Sequence, residues 1–283
     1  MRFPVSAQTA KTALGLDVPF QIAEDHYRMP NRFYGWRRGL PSRRFPQLAL
    51  TAYPALPASV DLTTLGYLPP IWDQGQTSSC TGHGVTRGIM YARAKAGKPF
   101  VDLSRLFPYY NARFAEGQAD QDSGAVIGDV VDAALKYGDC PYSDLPTDPA
   151  LVVQHPTEAA FDDAVPNKSQ TATRVLGSTG ASLEYHLRHC LAVLGVPVII
   201  GISVYESFES EEVAKTGIVP MPAADEVMVG GHCVTVVGYD DASKLLKCEN
   251  SWGTDWGQAG RFQIPYAYVF DPGLADDFHA ITL

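Results

Sequence analysis

The hydrophobic period of this chain changes partway along, and that change limits the folds open to it. From Ser79 onward Val85, Ile89, Ala92 and Ala96 recur at helical spacing, with Ser79 placed to cap the start and Gly97 to stop the end. In GAVIGDVVDAALKYG, Ile127, Val130, Val131, Ala134 and Leu135 line one face and Gly138 ends it. A helix is also expected in LSRLFPYYNARF, capped by Ser104 and limited by Pro108, and a last one in SLEYHLRHCLAVLG after an irregular stretch from about 139 to 180. Beyond it the runs PVIIGISVY, HCVTVVGY, KLLKCENS and RFQIP are short, rich in β-branched or aromatic residues and bounded by Gly, Asp and Pro. A helical half followed by an antiparallel sheet or barrel is an α+β arrangement of two lobes, and ligands usually sit in the cleft between lobes.

The length of 283 residues suits a large core of this kind, and 46% hydrophobic with 19% charged residues is an ordinary globular balance. No run approaches the ~18 apolar residues of a membrane span, so no membrane partner is expected. A net charge of -9 argues against nucleic acid, because phosphate binding needs a basic face. Basic charge is concentrated early instead, in Arg28, Arg32, Arg37, Arg38, Arg43 and Arg44. The surrounding PNRFYGWRRGLPSRRFP is weakly periodic and rich in Pro and aromatics, so residues 1–55 read as an extended arm, with a short hairpin or helix, that a more acidic body could hold as a pro-segment. The first residues lack a continuous apolar core, so no classical signal peptide is expected and the compartment stays open. Five cysteines without paired spacing exclude a dense disulfide framework and leave at least one free thiol.

One of those thiols stands out. Cys80 ends the polar loop DQGQTSSC and opens a helix, where the positive helix end favours a thiolate. A nucleophilic thiolate also needs a proton acceptor, an orienter for that acceptor and a donor for the developing oxyanion. His232, at the head of HCVTVVGY, can serve as the base, and Asn250, at the end of the next strand, can accept an imidazole N–H without adding charge. Gln74 can join the Cys80 backbone N–H in an oxyanion hole, and Trp252 can shield the Asn–His bond from water.

Together these residues resemble the papain family of cysteine peptidases. Gln74, Gly75, Gln76, Thr77, Ser78, Ser79 and Cys80 align with Gln-Gly-x-x-Gly-Ser-Cys, His232 to Tyr239 with His-x-Val-x-x-Val-Gly-Tyr, and Asn250 to Gly253 with Asn-Ser-Trp-Gly. His232 and Asn250 follow Cys80 in the family order, at somewhat more than the usual ~130–150 residues. LPASVDL, from Leu56, looks like a mature start, and LSRLFPYYNAR with PYAY is closest to a bacterial branch. The resemblance implies a papain-like fold over residues 56–283: a mainly helical left lobe over about 56–180, a β-barrel right lobe over about 181–283, and the active site in the cleft. It also implies substrate-binding roles for Gly124 in a glycine strip, Gly231 beside the histidine, and Trp252. The implied activity is cysteine endopeptidase action on peptide or protein substrates, by a monomer with no metal or organic cofactor; the charge contrast of residues 1–55 and the mature-like start at Leu56 add the expectation that this arm is inhibitory. The sequence departs from the family in four respects: Ser78 replaces a glycine, Thr81 a tryptophan common in animal and plant members, Thr77 a disulfide cysteine, and residues 1–55 are too short for the long helical inhibitory pro-region of the plant and lysosomal members.

Rival readings remain open at this level. His83, one turn along from Cys80, is a second candidate base but faces the positive helix end. Glu184, His186, His189 and Cys190 suggest zinc, yet Leu183, Leu187, Leu191 and Leu194 form a buried stripe that leaves the histidines on its flank. Cys233 and Cys248 read as core thiols, and the glycine-rich stretches lack the Gly-Lys-Ser/Thr of a phosphate loop. Transfer to another amine, deamidation, or a silent peptide-binding module are the alternative functions.

Overall fold

The computed structural model describes residues 33–39, 45–48, 50, 53–168, 171–177 and 180–283. Arg28, Arg32, Arg43 and Arg44, and most of the hairpin or helix expected before residue 55, lie outside them. The described chain begins its regular structure with β1 (Ser59–Asp61), followed by three helices, α1 (Cys80–Lys95), α2 (Leu106–Ala115) and α3 (Ile127–Tyr137). Ser79 precedes α1 but makes no capping bond, because its hydroxyl meets Thr77 Oγ1 at 2.6 Å and His83 Nδ1 at 3.2 Å. Ser104 does cap α2, its Oγ accepting the Phe107 N–H at 3.0 Å. Pro108 sits in that first turn, where a missing N–H costs nothing.

The stretch expected to be irregular contains α4 (Glu158–Ala164), capped by Thr157, and β2 (Thr171–Arg174). Then come α5 (Gly180–His189), extended by a π-helical turn at Cys190–Leu194, and β3 (Val198–Tyr205), α6 (Glu211–Thr216), β4 (Met228–Asp240), β5 (Leu245–Glu249), β6 (Arg261–Pro265), α7 (Tyr266–Val269) and β7 (Ala275–Thr282). The strands form an antiparallel sheet in the order β2-β7-β3-β4-β5-β6, with β1 joining β4. The chain is therefore α+β, a helical lobe against an antiparallel sheet. Three strands, β1, β2 and β7, carry no strong signal of their own; ADDFHAIT has aspartates at its second and third positions, and β7 is defined by pairing with both β2 and β3.

Alternation along the central strands divides the core in two. Val198, Ile200, Ile202 and Val204 of β3 face one cluster, shared with β4, β5, β6 and α7, while Ile199 faces the other, built mainly by α1, α2 and α3. Cys233 on β4 joins Ile199 there, against Gly84 of α1, where a Cβ would come within 2.7 Å of the Cys233 sulfur. A buried ion pair also joins the lobes: Arg87 of α1 meets Glu249 of β5, whose other oxygen accepts from Arg261 Nε at 2.9 Å. Among the described residues no helix is long and apolar enough to cross a membrane, and no three His, Cys, Asp or Glu side chains are gathered as a metal site would need. Of the zinc reading's residues, Cys190 belongs to the core and His186 Nδ1 bonds the Leu176 carbonyl.

Candidate active site

Cys80 is the first residue of α1 and is fully buried. Burial pushes its thiol up to about 11, against the backbone N–H groups of Cys233, Gly35 and Thr81, which favour the thiolate, and with the Asp122 charge, which opposes it. A sulfur that meets the Cys233 N–H lies against the middle of β4, at the residue that follows His232.

His232 Nε2 bonds Asn250 Oδ1 at 2.7 Å, and the same oxygen accepts the Ser251 N–H at 2.8 Å. That second bond fixes which atom of the Asn250 amide is oxygen, so Nε2 carries the proton and Nδ1 is left with its lone pair. Trp252 stacks on the ring at 4.8 Å between centroids. It is itself packed against Phe208 and Trp256, which fixes this cover.

Gln74 reaches the same place from the other side. Its Oε1 accepts the Ser251 hydroxyl at 2.6 Å, while Nε2 donates to Thr77 O at 2.7 Å and to Phe33 O at 3.1 Å. Ser251 thus links Gln74 to Asn250, a connection that needs both lobes and is invisible in the motif alone. His83 is buried and its Nδ1 bonds the Ser79 carbonyl at 3.0 Å; burial first, then the nearby Arg105 and Arg87 charges, lower it to about 3.

The cleft holds residues 33–39. Trp36 N–H donates to Gly231 O at 2.9 Å, Ala125 N–H to Gly35 O at 2.7 Å, and Arg37 N–H to Ala125 O at 3.0 Å, which makes Trp36 and Ala125 a parallel bridge. Ala125, rather than Gly124, therefore provides the pairing groups, and Gly124, at φ +75°, lets the Gly35 carbonyl pass where a Cβ would sit 2.3 Å from it. Trp36 fills a pocket floored by Gly201, with Nε1 3.4 Å from Asp277 Oδ2. Tyr34 turns its edge to His232 and Trp252 and bonds Glu209, and Arg37 pairs with Glu116. Sequence reasoning missed Ala125, Ser251, Glu209 and Asp277; only Ser251, inside the Asn-Ser-Trp-Gly motif, had a local signal.

Comparison with known proteins agrees with this fold. Residues 133–276 match the model of the papain family of cysteine proteases. An uncharacterised peptidase C1-like protein of Acanthamoeba polyphaga mimivirus is 37% identical over 212 residues, 74% of this chain and 68% of that protein. The crystal structure of xylellain, a cysteine protease from Xylella fastidiosa, superposes with a TM-score of 0.79 at 32% identity, covering 92% of this chain and 99% of that one. Digestive procathepsin L 3 of Tenebrio molitor larval midgut shares the fold at a TM-score of 0.65 and 19% identity, over 89% of this chain and 76% of its own. The chain belongs to the papain family of cysteine proteases.

Proposed function

We propose that the protein is a cysteine endopeptidase using Cys80, His232 and Asn250, with Gln74 and the Cys80 N–H as its oxyanion hole, and that residues 1–55 restrain a peptidase body of residues 56–283. The observation that carries this is the Asn250 amide oxygen, which receives both His232 Nε2 and the Ser251 N–H and so leaves His232 Nδ1 to exchange a proton with the neighbouring thiol.

In this reading His232 takes the Cys80 proton and the thiolate attacks the substrate carbonyl carbon. The oxygen's new charge is held by Gln74 Nε2 and the Cys80 N–H. As the C–N bond breaks, imidazolium protonates the departing amine. His232 then removes a proton from water, which displaces Cys80 from the thioester and releases the acid. Substrate backbone uses the same Gly231 and Ala125 groups that Trp36 and its neighbours use, beside Gly124, and Trp252 walls the far side. Endopeptidase action is supported by the way residues 33–39 cross the whole cleft with chain continuing at both ends. A bacterial affinity is supported by the likeness to the Xylella structure, although the mimivirus relative carries the family outside bacteria.

Restraint by the arm is supported by what it offers the thiol. The Gly35 N–H faces Cys80, and an N–H offers the thiolate no acyl carbon to attack. The decisive experiment deletes residues 1–55 and measures labelling by an irreversible peptide epoxide together with cleavage of an unfolded protein. Both should rise on deletion and vanish in Cys80→Ala; a Cys80→Ala chain as active as its parent would overturn the peptidase reading.

A further inference from the structure

The resemblance puts a disulfide cysteine at position 77, and Thr77 cannot form that bridge, yet the loop before α1 is firmly tied. Thr77 Oγ1 bonds Gln74 O at 2.8 Å, which ties the loop only to itself. Its tie to the rest of the helical lobe runs through a carboxylate. The Ser78 N–H donates to Asp122 Oδ2 at 2.8 Å, the Tyr109 hydroxyl of α2 donates to Asp122 Oδ1 at 2.6 Å, and the same phenol oxygen accepts the Gly124 N–H at 2.9 Å. Tyr109 is fully buried, with the Arg113 guanidinium 4.1 Å over its ring.

The peptide between Thr77 and Ser78 is what gives this cluster its reach. Its N–H goes to Asp122, and its carbonyl, Thr77 O, receives Gln74 Nε2 at 2.7 Å. The plane of that peptide thus sets where the Gln74 amide points, and the plane is set by Asp122. An anionic acceptor on the N–H also polarises the peptide and strengthens its carbonyl as an acceptor. We propose that Asp122 is a positioning residue of the active site: through the Thr77–Ser78 peptide it aims the Gln74 amide, and through Tyr109 it holds the Gly124–Ala125 edge at a fixed distance from that amide. The loop that holds the oxyanion and the edge that holds the substrate are then registered by one carboxylate and one phenol, with no covalent link between them. The inference rests on the peptidase reading.

The test uses the full-length chain carrying Gly35→Ala and Trp36→Ala as parent, which clears the cleft, and adds Asp122→Ala, Asp122→Asn or Tyr109→Phe. Asp122→Ala should lower kcat/KM for a fluorogenic peptide by roughly 10- to 100-fold, mainly in kcat, as expected for a misplaced donor. Asp122→Asn keeps an oxygen for the Ser78 N–H and should recover at least about tenfold of that loss. Tyr109→Phe leaves the Gly124 N–H without its acceptor and should raise KM more than it lowers kcat. Alkylation of Cys80 by iodoacetamide uses no oxyanion hole, and loss of the Asp122 charge favours the thiolate, so alkylation should fall by no more than about threefold in any member of the set. If Asp122→Ala cleaves as fast as its parent, or if Ala and Asn fall equally in rate and in melting temperature, Asp122 does not position the site. A parent that alkylates at Cys80 but cleaves nothing removes the peptidase reading and this inference with it.

Discussion

Gly35 passes so close to Ser78 that a Cβ on it would stand 1.6 Å from the Ser78 carbonyl oxygen. The residue that departs from the family's glycine beside the nucleophile is thus the one the arm presses against. In the full-length chain, Gly35→Ala should lift the arm and accelerate peptide-epoxide labelling of Cys80 at least about tenfold, equivalent to ~1.4 kcal/mol of lost seating. A labelling rate equal to that of the unaltered chain would mean the cleft is not closed by this segment.

Ser251 and Gln74 differ in what they contribute. With the arm removed, Gln74→Ala should lower kcat by about 10²- to 10³-fold, because an oxyanion donor is lost. Ser251→Ala removes only the partner of Gln74 Oε1 and should cost roughly tenfold, in line with one hydrogen bond. Steady-state kinetics on one substrate ranks the two; the reverse order contradicts the proposed roles.

The thiol's ionisation should report the state of the cleft. With the arm seated, burial lifts Cys80 from an ordinary value near 9.0 to about 11, so iodoacetamide labelling should be slow at pH 7 and climb only toward pH 11. Removing the arm returns water to the sulfur, and the midpoint should fall. The same shift has a sign for folding. The native state favours the neutral thiol, so the contribution is complete below pH 9 and is lost as pH rises from 9.0 toward 11. A labelling profile unmoved by deletion of residues 1–55 would contradict this account.

Asp277 binds Trp36 Nε1, the Ile127 N–H at 2.8 Å and His279 Nε2 at 2.8 Å. Burial alone would push its carboxyl up, but these partners together hold it below the ordinary 3.8. Its stabilisation is therefore present above pH 3.8 and lost as pH falls through the lower native value. Asp277→Asn should melt below the unaltered chain throughout pH 7 to about pH 5, with the margin closing only in stronger acid. A margin that closes by pH 5 would place the titrating group elsewhere.

Arg87 and Glu249 cross from helix to sheet with side chains almost fully buried. Glu249→Gln leaves the guanidinium without its charge partner and should cost about 3–5 kcal/mol in urea unfolding. A loss under about 1 kcal/mol would show the pair to be incidental.

The sequence made some of this architecture legible because the signals were local. Ile127 to Leu135 declare their own buried face and Gly138 its end, so α3 appears where its periodicity puts it, with Gly138 at φ 88. Cys80, His232 and Asn250 were readable because each sits in a dense motif, although His232 lies inside β4, which begins at Met228 rather than at the histidine. What could not be read was fixed by distant partners. β7 is a strand because β2 and β3 flank it, not because ADDFHAIT alternates cleanly. Ala125 serves through backbone groups that any residue has, so its identity carried no signal. Asp122 and Tyr109 are ordinary residues until the fold brings both to the loop before α1.

Because the segment in the cleft belongs to the chain it covers, its grip depends on the tether as well as on contacts. Phe45 lies edge-on to His279, and Leu48 N–H bonds Arg174 O at 3.0 Å, so residues 45–48 are also fastened to the body. A tether of this kind presents the arm at an effective concentration on the order of millimolar, without any improvement in the contacts themselves. A single cut between Gly39 and Phe45 would leave every bond in the cleft intact yet make the closed state bimolecular. The nicked protein would stay shut when crowded and open on dilution.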